Sequence, residues 1–375
     1  MRVEQYSLTA NEIKQGVKAS GPHPDLVLVF ASSALMRSDE LFPALQQAYP
    51  ESPLAGCSTA GEINLDSVVD DSAVISEVFL QDASCNVVTS PVSGIKDSKA
   101  AGIRLAEQVE AKGLKAVVLF APGVDVNGSA IINGIASVLG GQIPISGGLA
   151  GDGSDFEQTS TISSAGIETD QLCAVCFYGD SLNFEYGSFG GWNCFGPMRK
   201  VTRCDGNILY ELDGKPALEL YKQYLGEYAS ELPSSALLFP LEMMTAEKRE
   251  SGIIRTILGV NEENGSLILA GDIDPDGYLR LMHTSVDGLI NGAETAASDI
   301  SVSEQDRLAI LVSCVGRKLV MGDEVAEEVE AVNMKLGKRT VSTGFYSYGE
   351  ICPAKGLTQC DLHNQTMTLT VISEN

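Results

Sequence analysis

The feature that most restricts the fold is one supersecondary unit spelled three times. Residues 25–63 read DLVLVFASSALMRSDELFPALQQAYPESPLAGCSTAGEI. The Val-rich run LVLVF, bounded by small polar residues, predicts a buried strand. Ser38 is the expected N-cap of a helix with Leu41, Leu45 and Ala48 on one stripe, ended by Pro50. A second short strand then runs into a glycine turn. Residues 115–153 repeat the order with KAVVLFAPG, a helix around GSAIINGIASVLGG, and IPISGGLAGDG. Residues 307–351 repeat it with RLAILVSCVGR, DEVAEEVEAVNMKLG and TVSTGFYSYGEI. Each turn is followed by a further strand-like run: SAVISEVFL, DQLCAVCFYG and NQTMTLTVI. These are expected to close their units by antiparallel pairing. A repeated supersecondary unit constrains the fold more than any single element does. The expected class is α/β, with mixed sheets built from β-α-β-β units and two lobes.

The segment between the second and third copies is rich in Gly and Pro, which predicts hairpins, then a helix from about Pro216 to Tyr224. A polar stretch near 226–234, bracketed by Gly and Pro, places a boundary there. The expected modules are therefore residues 1–225 and 226–375. Beyond it, alternating apolar residues with Asn-Gly and Asp-Gly turns read as a meander. The helix SVDGLINGAETAASDI that follows buries Leu289, Ala293 and Ala296.

Charge narrows the function. Lys and Arg total 25 against 50 for Asp and Glu, a formal charge of −25 without a basic cluster. Such a surface repels nucleic acid and anionic lipid. The N-terminal sequence has no apolar h-region, and no run reaches the roughly 18 apolar residues of a membrane helix. Nine cysteines, scattered singly through apolar runs, suit a reducing compartment. The expected location is cytoplasmic, with neither nucleic acid nor membrane insertion.

Most motifs reduce to structure. DIDPDG opens like a calcium loop, but its twelfth position is His283 rather than Glu, so it reads as a turn. The pair in CAVC faces opposite sides of a strand and reads as core. GCSTAG misses a nucleophile elbow by one residue, so a hydrolase using Cys57 or Ser58 ranks last and no catalytic residue is expected. The octets GCSTAGEI and GFYSYGEI share their glycines and end in Glu62 and Glu350. Duplication accounts for the glycines. The residues that differ, Phe345, Tyr346 and Tyr348, offer flat faces with polar tips, as ligand pockets do.

With VTRCDGNILYELDGKPALELYKQYLG, GGLAGDG, SCVGR and HNQTMTLTV, these octets resemble the FIST family, from its N-terminal module through its C-terminal companion. The resemblance implies a prokaryotic intracellular sensor that binds a small ligand, has no enzymatic activity and regulates a partner. Such a partner is a histidine kinase or a cyclic-di-GMP enzyme, that is, a diguanylate cyclase or phosphodiesterase. A stand-alone subgroup, the NosP type, implies haem b and nitric oxide sensing. Haem requires an axial ligand, for which His283 and then His363 are the candidates, with His23 in an exposed loop. The alternative is a metal-free amino-acid or metabolite sensor. It would use Glu62, Tyr346, Tyr348, Glu350, Arg255, Arg317 and Asn364 to fix its ligand between the lobes.

Overall fold

The computed structural model describes residues 1–353 and 360–375. The first unit runs β1 (Arg2–Thr9), α1 (Ala10–Gln15), β2 (Leu26–Ser32), α2 (Leu41–Ala48), β3 (Leu54–Thr59), β4 (Glu62–Asn64), β5 (Ser67–Val69) and β6 (Ser72–Phe79). The second repeats that order as β7 (Ser84–Pro91), α3 (Ser98–Ala106), β8 (Leu114–Ala121), α4 (Gly128–Leu139), β9 (Ile145–Leu149), β10 (Thr161–Ser163), β11 (Gly166–Glu168) and β12 (Gln171–Tyr178). The third has β13 (Leu182–Phe189), α5 (Val286–Ala297), β14 (Arg307–Cys314), α6 (Val325–Leu336), β15 (Thr340–Ser347), β16 (Gly349–Pro353), β17 (Cys360–His363) and β18 (Met367–Glu374).

The sheets are built in a ring. In each unit the two strands flanking the long helix pair in parallel, and the closing strand returns antiparallel, as the sequence predicts. Each unit then gives its short hairpin to a neighbour. The first sheet runs β1-β6-β2-β3-β10-β11, borrowing its last two strands from the second unit. The second runs β7-β12-β8-β9-β16-β17, borrowing from the third. The third runs β13-β18-β14-β15-β4-β5, borrowing from the first. The exchange closes on itself.

The ring meets where β3, β9 and β15 end. Three backbone hydrogen bonds pass around it: Ala60 N–H to the Tyr346 carbonyl (2.8 Å), Gly151 N–H to Ser58 (3.0 Å) and Tyr348 N–H to Leu149 (3.2 Å). On one side Phe30, Phe120 and Phe345 fill the centre, with ring centroids 4.9–6.1 Å apart. Gly148 makes room for them, since a Cβ there would lie 2.7 Å from Val312 Cγ1 and 3.2 Å from the Phe345 ring.

Between β13 and α5 the third unit carries an insertion, residues 193–283, folded as an eight-stranded sheet. Its core draws on Val201, Tyr221 and Leu225 from one part and Leu241, Leu267 and Leu281 from another. Its helix spans Ala217–Leu225, so position 226 falls just after that helix within the insertion. The stripe of Leu289, Ala293 and Ala296 is fully buried, as its spacing predicts. One cap differs from expectation. Ser38 donates from Oγ to the Leu35 carbonyl (2.7 Å), closing a separate short helix Ser33–Met36, and Glu40 takes the N-cap position of α2 without a side-chain hydrogen bond.

Three glycines permit the parallel strands to approach. Gly56, Gly147 and Gly344 have φ of +154°, +120° and +154°, and a Cβ on each would lie 1.9, 2.0 and 1.8 Å from the Val29, Leu119 and Leu311 carbonyl oxygens. Backbone cannot yield as a side chain can, so Gly56→Ala or Gly344→Ala is expected to cost roughly 3 kcal/mol or to prevent folding. Gly337 has φ +84° with open space around it. Gly337→Ala should cost only about 1 kcal/mol of backbone strain. Urea unfolding midpoints of the variants check the difference.

Candidate functional site

The paired glutamates prove to be internal braces. Glu62 accepts bonds from Thr59 Oγ1, Ser72 N–H (3.1 Å) and Ser72 Oγ (2.9 Å). Glu350 accepts from Ser347 Oγ (3.1 Å), Thr366 N–H (3.0 Å) and Thr366 Oγ1 (2.9 Å). In both units the carboxyl ties the borrowed hairpin to the start of its own closing strand. The second unit has no Glu there. Asp152 instead accepts the N–H groups of Phe156, Glu157 and Gln158 at 2.8–3.0 Å and the Tyr348 hydroxyl.

The other expected contacts are placed inside as well. Tyr346 is fully buried and donates to Glu328, which also accepts from Ser313 Oγ (2.9 Å) and pairs with buried Arg317 at 2.6 Å. Tyr348 stacks on Phe156 at 4.2 Å between ring centroids. Arg255 is buried, and desolvation lowers its pKa to about 10. Its Nη1 donates to the Leu362 carbonyl (2.9 Å) and its Nε to the Asp272 carbonyl (3.0 Å), joining the insertion to β17. Cys57 and Ser58 are sealed from solvent, and Ser58 Oγ accepts the Ser160 N–H (2.9 Å). None of these side chains lines the cleft that holds His363.

The histidines separate clearly. His23 and His283 are exposed, His283 lying edge-on to Phe195 at 5.3 Å. His363 is buried, and neither of its ring nitrogens makes a well-formed hydrogen bond, although the Cys352 backbone lies near enough to favour the protonated ring. Burial outweighs this and lowers its pKa. Asn364 is buried with both amide atoms unpartnered, and Gln365 leaves Oε1 unpartnered. Among the described residues, nine buried side-chain polar atoms lack a partner, and five belong to these three consecutive residues. Each orphan costs about 1–3 kcal/mol of unreturned desolvation, so the cluster demands a functional explanation.

His363 lines a cleft of 560 Å³ between the ring and the insertion. Tyr186, Trp192, Cys194, Glu242 and Glu250 line it with His363. Trp192 is fixed by its indole N–H, which donates to the Gln365 carbonyl at 2.8 Å. The sequence reading missed Trp192, Cys194, Glu242 and Glu250. One signal was available: Trp192 is the chain's single tryptophan, set in GGWNC where the third unit leaves its first strand.

A haem fits this cleft only in part. His363 offers an imidazole nitrogen, but haem propionates need cationic partners. No described Arg or Lys lines the cleft, whereas Glu242, Glu250 and Asp299 do. No set of three or more His, Cys, Asp or Glu suited to a metal ion occurs among the described residues.

The braces predict a pH dependence. Burial pushes Glu62 up to about 7 and Glu350 up to about 8 from an ordinary 4.5, against the pull of their hydrogen bonds. The folded chain thus retains protons that the unfolded chain has released, and stability declines as pH rises through 4.5 to about 8. His363, lowered from 6.5, opposes this only at and below that value. Between about pH 7 and 8.5 the urea midpoint should fall, by on the order of 1 kcal/mol in ΔG, and Glu350→Gln should flatten the fall.

The chain matches the FIST N domain over residues 25–215 and the FIST C domain over 217–353. The junction of the two falls inside the insertion, so the third unit begins in one and continues through the other, with β17 and β18 beyond the matched residues. An uncharacterized protein of Methanocaldococcus jannaschii, MJ1623, is 25% identical over 413 residues, covering 97% of this chain and 76% of that protein. Two cyanuric acid hydrolase structures, one from A. caulinodans, align at 8% identity over 100% of this chain and 99% of theirs, with TM-scores of 0.36 and 0.30. That likeness is too slight to carry a functional argument. No described helix is long and apolar enough to cross a membrane. FIST domains are sensors of small ligands in signalling, and this chain belongs to the FIST family.

Proposed function

We propose that this chain is a cytoplasmic sensor without enzymatic turnover, which binds a metal-free metabolite in the cleft beside His363. The observation that carries the reading is the run of unpartnered buried polar atoms in His363, Asn364 and Gln365. A neutral imidazole offers one donor and one acceptor, and an Asn amide offers both kinds. A ligand or its bound water would satisfy groups that the protein leaves unpaid.

Occupancy would be transmitted by the insertion. Arg255 holds the carbonyl of Leu362, the residue before His363, and the carbonyl of Asp272 within the insertion. A ligand that shifts β17 by tenths of an ångström therefore acts on a rigid tie between the two bodies. The change in the insertion's surface would be read by a signalling partner such as a histidine kinase or a cyclic-di-GMP enzyme. A ligand shifts such an equilibrium only by its difference in affinity for the two positions.

An unsatisfied group has a distinctive mutational signature. Asn364→Leu removes two orphan atoms and keeps the branched shape, its larger methyls offsetting part of the gain, so the ligand-free protein should gain about 1 kcal/mol while losing ligand binding at least tenfold. A structural amide would behave oppositely, losing stability when replaced. Thermal shift against a metabolite panel, with wild type and Asn364→Leu in parallel, reads both quantities. A Soret band on mixing with haem, lost in His363→Ala, would overturn the metabolite reading in favour of a haem sensor for nitric oxide. No stabilisation by any metabolite would remove the cleft from the role.

A further inference from the structure

The lining of the cleft constrains the charge of what enters it. Glu242 is 7% exposed and lines the cleft, yet it has no Lys, Arg or His within ion-pair distance among the described residues. Its recorded partner is the Cys194 thiol, which donates to Oε2 at 2.7 Å. Burial and this carboxylate hold the thiol protonated, its pKa raised to about 12. Arg280 stands directly opposite Glu242 in the insertion's sheet and its charge reaches Cys194, but it forms no ion pair with Glu242 and its Nε donates to the Gly196 carbonyl at 3.3 Å. Glu250 lies on the neighbouring strand, exposed at the mouth. Trp192 and Tyr186 supply aromatic surface between these acids and His363.

A nearly buried carboxylate without a cation is costly unless a cation arrives. Here it shares a cleft with an unpartnered, buried histidine, which is independent evidence for a ligand. Resting on the reading that this cleft is the sensory site, we propose that its ligand is a compact organic cation, an amine or quaternary ammonium without a free carboxylate. Glu242 pairs with the cationic centre at depth, Glu250 draws it to the mouth, and the aromatic rings cover its apolar carbons. His363 bonds a polar atom of the remainder. An anion of the same size would meet three carboxylates, those of Glu242, Glu250 and Asp299, and no lining cation among the described residues.

Calorimetric titration of the full chain tests this with putrescine, agmatine and choline, set against neutral 1,4-butanediol and the dianion succinate. At least one cation should bind, Glu242→Gln should weaken it tenfold or more, and Glu250→Gln should weaken it several-fold. Glu250 is exposed, so its variant keeps the test valid if Glu242→Gln does not fold. Raised salt should weaken binding further in wild type than in Glu250→Gln. Binding of succinate that depends on His363, with none by the cations, would overturn the charge assignment and leave the cleft as the sensory site. Cation binding unchanged in both glutamine variants would also overturn the assignment. Failure of every probe, together with no response to a metabolite panel, would bring down both.

Discussion

Everything in this structure depends on how closely three pairs of parallel strands approach at Gly56, Gly147 and Gly344. At each, the space of a Cβ is taken by the carbonyl oxygen of the adjacent strand. That approach brings the strand ends together so that three hydrogen bonds can pass from unit to unit. No sheet is complete alone, because each takes its outer hairpin from a neighbour. The ring is therefore cooperative by construction, and the buried carboxyls of Glu62 and Glu350 fasten hairpin to closing strand where the borrowed piece leaves its own unit.

Departures from the repeat cluster where the proposed site lies. The second unit replaces the Glu brace by Asp152, which reaches across to Tyr348 of the third. The third unit admits an eight-stranded insertion after β13, and a cleft opens along the seam. The run of unpartnered polar atoms begins at that seam with His363, which lines the cleft, rather than at the centre of the ring, which Phe30, Phe120 and Phe345 fill.

The repeated unit was legible because strand and helix periodicities are local. The parallel pair, the long helix and the antiparallel return all follow from runs of a few residues, and α5 buries the predicted stripe. Family membership was legible for a similar reason, through long motifs. The exchange of hairpins was not, since it pairs Phe345 with Glu62 across most of the chain. Tyr346 and Tyr348 read as ligand surface because tyrosine suits pockets, but their partners are Glu328 and Asp152, and no local pattern shows this. His363 was among the expected residues and lines the cleft, whereas Asn364, also expected, is buried beside it without lining the cleft. Glu242 and Trp192 were not, because the insertion alone brings them near His363.

The central claim is that a ligand binds beside His363, and the chain's composition allows a direct test. It has only three histidines, two of them exposed. Nitrogen-detected NMR of protein labelled at histidine should resolve three imidazoles, with the buried ring of His363 held neutral because desolvation lowers its pKa. Titrating in putrescine or another bound cation should move the nitrogen resonances of that neutral ring alone. Movement of the His23 or His283 signals, with His363 unchanged at saturation, would place the ligand elsewhere and contradict the account.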